Sequence, residues 1–207
     1  MGGTIVVRGG RPLYGTAQVP AAKNSVLPLL AASLLCAGPV RLRGVPRLSD
    51  VESCLALLRA AGCAAGWDGG DVVVSGRAAC CRLPAGETAR LRASVLFAAP
   101  LLAKLGRAET ALPGGCRIGA RPVDWHLAAL ERMGARVEQA AQRLLLTAPA
   151  GLHGAEIRLP GPSVGATETV LLAGCAARGQ TRLQGAAREP EIVDLARFLN
   201  QCGGCVR

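Results

Sequence analysis

The sequence predicts an α/β fold made of three copies of one unit, the third of them truncated. A Ser-Val dipeptide recurs at intervals of 69 residues, at Ser25, Ser94 and Ser163. A segment rich in leucine and alanine follows each dipeptide, and a Leu-x-x-x-Gly motif follows later in each copy. Self-similarity at a fixed period is typical of repeated supersecondary units. The repeats are predicted to span about residues 22–90, 91–160 and 161–207.

Each Ser-Val dipeptide is predicted to begin a helix, because serine is a favoured N-cap residue. The helices are expected to end near Gly38, Gly106 and Gly179, since glycine commonly follows the last helical turn. They are apolar on almost every face, so we expect them to pack together at the centre of the fold. The predicted helical segments are residues 27–37, 96–103 and 166–177.

After each buried helix the pattern predicts a short strand, a loop and a second, amphipathic helix. The short strands are predicted at residues 40–42, 109–112 and 181–183. The second helices are predicted to stop at Gly62, Gly134 and Gly203, each in the left-handed conformation. A β-hairpin should follow, and its last strand is evident at residues 72–74 and 144–146. The third copy shows no such strand, so it is predicted to be truncated.

The first 21 residues belong to none of the repeats. They contain two strand-like stretches, residues 5–7 and 13–19. The rest of the chain offers no strand to pair with them, so their partners are expected in sequence beyond residue 207. The predicted domains are therefore residues 1–21, belonging to a missing second lobe, and the repeat-containing lobe of residues 22–207.

The composition restricts the class of partner. Lysine and arginine number 24 against 14 acidic residues, and the net charge of +10 favours phosphorylated small molecules, nucleic acid or an anionic membrane surface. Aromatic residues make up only 2% of the chain and the arginines are scattered, which argues against nucleic acid. The longest apolar stretch, residues 25–40, is interrupted by Pro28, so no membrane segment is predicted.

Nine cysteines could indicate a disulfide scaffold, but the number is odd and no signal peptide is evident, which favours free thiols in a reducing cytoplasm. The pairs Cys80-Cys81 and Cys202/Cys205 have no further ligands nearby in sequence, so neither a metal site nor a cofactor is predicted. Four cysteines lie among alanines and leucines and are expected in the core as small hydrophobic residues: Cys36, Cys54, Cys63 and Cys175.

The loop before the second helix of the middle copy differs from its counterparts. Residues 113–122 contain three glycines around Cys116, with Arg117 beside the thiol and Arg121 nearby. Neighbouring cations lower the pKa of a thiol, and such a thiol can deliver a proton or act as a nucleophile. The alternative interpretation is a glycine-rich turn with an incidental cysteine.

Two basic residues stand at matched positions in the repeats. Lys23, followed by Asn24, and Arg92 lie just before the first helices, where the helix N-termini favour anions. With Arg121 they predict an anion-binding site, although lone basic residues at helix starts are more often solvated surface charges. The second helix of the middle copy adds Asp124 and His126 at its start.

These segments closely resemble the UDP-N-acetylglucosamine 1-carboxyvinyltransferases of the enolpyruvyl transferase family, and the resemblance runs through the whole chain. The glycine-glycine-cysteine loop and the Ile-Gly-Ala-Arg-Pro motif after it are its most specific part. The motifs are Ala22-Lys23-Asn24, Arg92-Ala93-Ser94, Leu112-Pro113-Gly114-Gly115-Cys116, Ile118-Gly119-Ala120-Arg121-Pro122-Val123-Asp124, Ser163-Val164-Gly165-Ala166-Thr167 and Ala186-Ala187-Arg188-Glu189-Pro190-Glu191-Ile192-Val193-Asp194.

The resemblance implies an inside-out α/β lobe with pseudo-threefold symmetry, buried helices and outer sheets. It implies transfer of the enolpyruvyl group of phosphoenolpyruvate to the 3-hydroxyl of UDP-N-acetylglucosamine, the first committed step of peptidoglycan synthesis. Lys23 and Arg121 would hold phosphoenolpyruvate, and Cys116 would protonate its methylene or form a covalent adduct. The implied sugar-nucleotide contacts are Asn24, Arg92, Pro122, Val123, Asp124, His126, Ser163, Val164 and Gly165.

The sequence departs from the family in three respects. Gly161-Pro162 replaces a lysine that some members carry, and Leu96 replaces an aromatic residue. The family chain is also about twice as long, and its second lobe supplies a carboxylate and a further arginine. The chain alone is therefore expected to be inactive, because closure of two lobes excludes water from such sites. The alternatives are a non-catalytic remnant that binds UDP-sugar or phosphate, and an enzyme resembling 3-phosphoshikimate 1-carboxyvinyltransferase.

Overall fold

The computed structural model describes residues 4–19, 21–112 and 123–207. Its helices and strands follow the repeat along the chain. The first unit contains α1 (Lys23–Ala32) with a 3₁₀ turn (Ser33–Leu35), β1 (Val40–Leu42), α2 (Ser49–Ala60), β2 (Ala64–Asp68) and β3 (Asp71–Ser75).

The second unit repeats this order with one addition, a short helix before the buried one. It contains α3 (Ala85–Arg90), a 3₁₀ helix (Arg92–Phe97), α4 (Ala98–Leu105), β4 (Arg107–Ala111), α5 (Asp124–Arg132), β5 (Arg136–Ala140) and β6 (Arg143–Thr147). The third unit contains β7 (Glu156–Arg158), α6 (Val164–Gly174), β8 (Arg182–Gln184) and α7 (Pro190–Gln201).

Each unit has its own small sheet, and the sheets of the first two units share one topology. The strand orders are β1-β3-β2 and β4-β6-β5, all antiparallel, because each hairpin returns its second strand between the other two. The third sheet contains β7 and β8, paired in parallel with Ile157 opposite Leu183. No hairpin follows α7 in the part of the chain that the structure describes.

The strand that follows the buried helix, which is β1, β4 or β8, has a parallel neighbour in two of the three units. Arg82 pairs with Glu109 of β4, and β7 pairs with β8. In both cases the neighbour precedes the buried helix. Within the described residues, β1 has no such neighbour and lies at the edge of its sheet.

The buried helices form the centre, as the sequence predicts. In α1 the side chains of Leu30, Ala31 and Ala32 have no exposed surface. The 3₁₀ helix of the second unit packs against both α1 and α6, and α4 packs against α6. Apolar helices without a polar face require this arrangement, because each side must be covered by protein. The predicted α/β fold with buried helices and outer sheets is confirmed.

The prediction that a serine caps each buried helix is wrong for two of the three helices. Of the three serines predicted as N-caps, only Ser163 has this role, with its Oγ accepting a hydrogen bond from the N–H of Ala166 at 3.3 Å. Ser25 lies inside α1, which begins at Lys23, and Ser94 lies inside the 3₁₀ helix. The hydroxyl of Ser94 donates to the backbone oxygen of Thr88, so a partner distant from the helix start determines its role.

The second helices end as predicted. Gly62, Gly134 and Gly203 have φ values of +101°, +95° and +95°, the left-handed conformation that terminates a helix. At Gly62 a side chain would also be crowded, since a Cβ there would lie 3.1 Å from the Cβ of Ala79. The Leu-x-x-x-Gly motif therefore has the same structural cause in all three units.

The first residues of the chain do not form the predicted strands. Residues 4–19 contain no strand, and their large apolar side chains are almost fully exposed, including Leu13 at 95% and Tyr14 at 92%. A strand needs a partner for its backbone groups, and the described residues provide none. The isolated stretches 5–7 and 13–19 therefore remain unpaired in this chain.

The cysteines expected in the core divide into two groups. Cys54 and Cys63 are buried, whereas Cys36 and Cys175 are only half-buried, which corrects the expectation for these two.

Among the described residues, no three histidine, cysteine or acidic side chains are grouped in a way that could hold a metal ion. No helix within these residues has the length and apolar character needed to cross a membrane.

Candidate functional site

The site begins where the N-termini of several helices meet. Lys23, the first residue of α1, forms an ion pair with Asp50 in the first turn of α2. Two residues later, the hydroxyl of Ser25 donates a hydrogen bond of 2.8 Å to Asp194 in the second turn of α7. The starts of α1, α2 and α7 are therefore held together by polar contacts at one face of the lobe. The side chain of Lys23 is half exposed at this face.

The starts of α5 and α6 adjoin this face, because α5 packs against α6 and the N–H of Ala187, just before α7, donates to Thr167 near the start of α6. His126 in the first turn of α5 is only 5% exposed, and its Nδ1 is hydrogen-bonded to Oγ1 of Thr169 in α6 at 2.8 Å. Burial, and secondarily the charge of Arg92, lowers the pKa of His126 to about 4. The imidazole is therefore neutral at pH 7. Arg92, which opens the 3₁₀ helix, is half-buried within electrostatic reach of this ring.

Gly165 lies directly against the histidine ring. A Cβ at this position would lie 2.8 Å from Cε1 and 3.0 Å from Nε2 of His126. Such distances are shorter than real contacts, so the helix start at residues 163–165 approaches α5 this closely only because the side chain is missing. The Ser163-Val164-Gly165 turn and His126 thus form one packed unit, with all three turn residues partly exposed at the surface.

The remaining predicted residues fall into two groups. Asn24 and Asp124 are exposed at the starts of α1 and α5, whereas Val123 is buried just before α5. Cys116, Arg121 and Pro122 lie outside the described residues, so their predicted roles remain predictions.

Three polar residues near this face escaped the sequence analysis. Asp50, which pairs with Lys23, lies 27 residues away in an ordinary amphipathic helix, and no local pattern indicates the contact. Thr167 and Glu168 lie in the centre of α6, which the sequence analysis described as apolar on almost every face. The signal that could have found them is the run of three polar residues, Thr167 to Thr169, inside an otherwise apolar helix. The hydroxyl of Thr167 accepts a hydrogen bond from the N–H of Ala187 at 3.0 Å.

Glu168 is the most unusual of these residues electrostatically. Its side chain lies in the packed interior and is 5% exposed. Burial, with an added contribution from the negative charge of Glu191 at the start of α7, raises the pKa of Glu168 to about 8. A protonated carboxyl group therefore lies one turn below the start of α6.

A groove of about 510 Å³ runs beside this face, between α5 and the sheet of the third unit. It is lined among others by Trp125, Arg132 and Arg158. None of the predicted site residues lines it, although Trp125 lies between two of them in sequence.

This arrangement is suited to holding anions. Partial positive charge accumulates at helix N-termini, where backbone N–H groups lack partners within the helix. The side chains of Lys23 and Arg92 add full charges at the starts of two such segments. A phosphate or carboxylate bound here would replace Asp50 as the ion-pair partner of Lys23.

The comparisons with known proteins agree with the sequence resemblance. The chain is 49% identical to a UDP-N-acetylglucosamine 1-carboxyvinyltransferase of Nitratidesulfovibrio vulgaris, over 96% of this chain and 48% of the relative. It is 44% identical to UDP-N-acetylglucosamine 1-carboxyvinyltransferase 2 of Carboxydothermus hydrogenoformans, over 98% of this chain and 48% of that protein. The chain thus spans about half the length of the curated relatives it matches.

Solved structures show the same fold. The enolpyruvyl transferase NikO from Streptomyces tendae matches with a TM-score of 0.80 and 26% identity, over 93% of this chain and 45% of that one. An EPSP synthase from Acinetobacter baumannii matches with a TM-score of 0.72 and 20% identity, over 88% of this chain and 43% of that one. The resemblance drawn from the motifs is confirmed. The profile of one family matches residues 7–207, and the chain therefore belongs to the EPSP synthase (3-phosphoshikimate 1-carboxyvinyltransferase) family.

Proposed function

We propose that this chain supplies one lobe of an enzyme that transfers the enolpyruvyl group of phosphoenolpyruvate to the 3-hydroxyl of UDP-N-acetylglucosamine, with release of phosphate. The observations that support this proposal are contacts at the helix starts, where Lys23 pairs with Asp50, and where Arg92 lies within electrostatic reach of His126 beneath the capped start of α6. The names of the relatives at 44% and 49% identity support the choice of acceptor. The reaction would belong to peptidoglycan synthesis in the cytoplasm, and through it to cell-wall formation and cell division.

The second lobe would come from sequence beyond this chain. Residues 1–21 would belong to that lobe, and residues 22–207 would form the lobe described here. The exposed apolar side chains of residues 4–19 support this division, because they have no packing partner among the described residues. Without the other lobe the face of helix N-termini stays open to water, which weakens each electrostatic interaction at the site. The chain alone would therefore lack activity.

Phosphoenolpyruvate would bind between Lys23 and Arg121. Cys116 would protonate its methylene carbon, so that C2 gains oxocarbenium character and accepts the sugar hydroxyl, or it would form an adduct with C2 directly. Phosphate then leaves from C2 and a proton is lost from the methyl carbon, which restores the double bond and gives the enol ether. Lys23 would stabilise the charge that develops on the departing phosphate, the type of catalysis that fixed cations provide.

The sugar nucleotide would lie along the starts of α1, the 3₁₀ helix, α5 and α6. Asn24, Arg92, Asp124 and the Ser163-Val164-Gly165 turn offer exposed or half-exposed polar groups there, and Pro122 and Val123 would border them. His126 has a different position, since its ring is buried beneath the turn. We assign it a positioning role, in which the neutral ring supports the α6 start that contacts the nucleotide.

Reconstitution tests the proposal. The chain is mixed with a polypeptide that contains the second half of the Nitratidesulfovibrio vulgaris relative, and phosphate release from phosphoenolpyruvate is measured with and without UDP-N-acetylglucosamine. We expect no acceptor-dependent release from the chain alone and clear release from the mixture.

Cys116→Ala should lower the rate of the mixture at least about 100-fold, as expected for loss of an acid or nucleophile. The matched control is Cys80→Ala, which removes an exposed cysteine elsewhere.

Acceptor-dependent phosphate release by the chain alone would contradict its assignment as an incomplete lobe. Equal rates for the Cys116→Ala and Cys80→Ala mixtures would contradict the role of Cys116. Release with shikimate 3-phosphate as acceptor, and none with the sugar nucleotide, would move the assignment to the other branch of the family.

Binding of the sugar nucleotide gives a second test. Arg92→Ala should weaken the binding of UDP-N-acetylglucosamine by at least about tenfold, because a charge-assisted contact to a ligand is lost. Arg90→Ala is the matched control. It removes the same charge two residues before Arg92, and the side chain of Arg90 is 76% exposed. Isothermal titration of the reconstituted mixture measures both affinities. If both variants weakened the binding of UDP-N-acetylglucosamine equally, Arg92 would contribute only through the net charge of the protein and not through a direct contact.

A further inference from the structure

A pair of cysteines lies at the end of the lobe opposite the candidate site. The Sγ atoms of Cys36 and Cys202 are 3.1 Å apart, although the two residues are separated by 166 positions in the sequence. Cys36 follows the 3₁₀ turn that extends α1, and Cys202 directly follows α7. Neither the predicted site nor the proposed reaction uses these thiols.

The two helices that carry this pair are already joined at their other ends. The hydroxyl of Ser25 near the start of α1 donates to Asp194 in α7 at 2.8 Å. The helices therefore run side by side in the same direction, with a polar contact at their beginnings and two thiols in contact at their ends. A bond between the sulfurs would link the first and third units, and the two sulfur atoms would need to approach by only about 1 Å to form it.

We propose that Cys36 and Cys202 are a redox modification site, in which a peroxide converts the two thiols into a reversible disulfide. Cys202 is exposed, so it meets the oxidant first. Its sulfur attacks one peroxide oxygen and the O–O bond breaks, which gives a sulfenic acid and, with hydrogen peroxide, one water molecule. The sulfur of Cys36 then attacks the Cys202 sulfur, and the hydroxyl leaves with the proton of Cys36 as a second water molecule.

The surroundings of Cys36 determine the order and the pH dependence of these steps. Burial, followed by the hydrogen bond with Cys202 and the charge of that residue, raises the pKa of Cys36 to about 12, while the charge of Lys104 opposes this rise. Cys36 is therefore a poor first nucleophile and acts as the resolving thiol. The resolving step should accelerate as the pH rises, because the thiolate fraction of Cys36 grows.

A second cysteine pair provides a competitor for this reaction. Cys175 lies close to the turn that carries Cys205, since a Cβ on Gly204 would lie 3.2 Å from the Cys175 Sγ. The charge of Cys205 adds to burial in raising the pKa of Cys175. No sulfur-to-sulfur contact joins these two residues within the described part of the chain, whereas Cys36 and Cys202 have one.

Peptide mapping tests the proposal. The chain is treated with hydrogen peroxide, remaining thiols are blocked, and tryptic peptides are analysed without reduction. We expect peptide 24–41, which contains Cys36, to be linked to peptide 198–207, which contains Cys202 and Cys205. Because both cysteines share that peptide, Cys202→Ser should abolish the link and Cys205→Ser should retain it. Fragmentation of the linked wild-type peptide assigns the same bond without a variant.

Thermal unfolding gives an independent readout. A disulfide that closes a loop of more than 160 residues restricts the unfolded chain, so the oxidised protein should melt about 5–10 °C higher than the reduced protein. The shift should vanish in Cys36→Ser and Cys202→Ser and should reverse with dithiothreitol in the wild type. A main link between peptides 159–178 and 198–207, or sulfinic acid at Cys202 without any link to peptide 24–41, would overturn the proposal.

Discussion

Replacing Gly165 by alanine should lower the free energy of unfolding by about 2 kcal/mol, the range found for overpacked interiors. The added Cβ would lie 2.8 Å from Cε1 of His126, and the ring has little freedom to move. It is buried and its Nδ1 is held by Thr169 at 2.8 Å. Relief would therefore require breaking that hydrogen bond or separating α5 from α6. Urea unfolding at pH 7 measures the effect.

The clash can be assigned to one partner by a double-mutant cycle. His126→Ala removes the ring, so the additional Gly165→Ala should then cost at least about 1 kcal/mol less than in the wild-type background. Gly161→Ala is the control, because a Cβ at Gly161 would meet only the Trp125 ring at 3.7 Å, an ordinary contact distance. Additive effects of Gly165→Ala and His126→Ala would show that the close packing of these residues does not limit the stability of this face.

Replacing Glu168 by glutamine should stabilise the protein in alkaline solution by on the order of 5 kcal/mol. Burial, together with the charge of Glu191, raises the pKa of Glu168 to about 8 in the folded protein, above its ordinary value of 4.5. The contribution of the neutral carboxyl group is therefore complete below about pH 4.5 and is lost as the pH rises through 8. Glutamine has nearly the same shape and stays neutral over the whole range.

The measurement compares urea unfolding of wild type and Glu168→Gln at pH 5, 7 and 9. The difference should be near zero at pH 5 and largest at pH 9. The lowered pKa of His126 makes both proteins lose stability as the pH falls from 6.5 to 4. Because this loss is the same in wild type and Glu168→Gln, it cancels in the difference between their free energies of unfolding. Glu156→Gln, at an exposed position, is the matched control and should show no such trend. A difference independent of pH would show that Glu168 is ionised in the folded protein.

The repeat made the overall fold predictable from the sequence. Short motifs with a local physical cause gave the best predictions, as at Gly62, Gly134 and Gly203, where the left-handed backbone is required wherever a helix stops in this way. The hairpins that follow were predictable for a similar reason, since the short apolar runs at residues 72–74 and 144–146 are bounded by turn residues, which favours strands.

The predictions failed where a distant partner determines the role of a residue. Ser25 and Ser163 occupy equivalent positions in the repeat, yet Ser25 donates to Asp194 and only Ser163 caps its helix. Lys23 was recognised as a site residue from its position at a helix start, but its partner Asp50 lies on another helix and has no sequence signal. Local patterns therefore locate the helix starts of the candidate site, and tertiary contacts decide which side chains at those starts remain free for a ligand.

The outer edge of β1, which has no partner strand among the described residues, affects how the isolated chain behaves in solution. Its backbone N–H and C=O groups can pair with the same edge of a second molecule, which makes it a template for aggregation. The net charge of +10 opposes such encounters through long-range repulsion, but at 0.15 M salt this repulsion extends only about 8 Å. The chain should therefore remain dispersed in dilute buffer and self-associate as the ionic strength rises. Purification in low salt keeps it in the form suited to the experiments above.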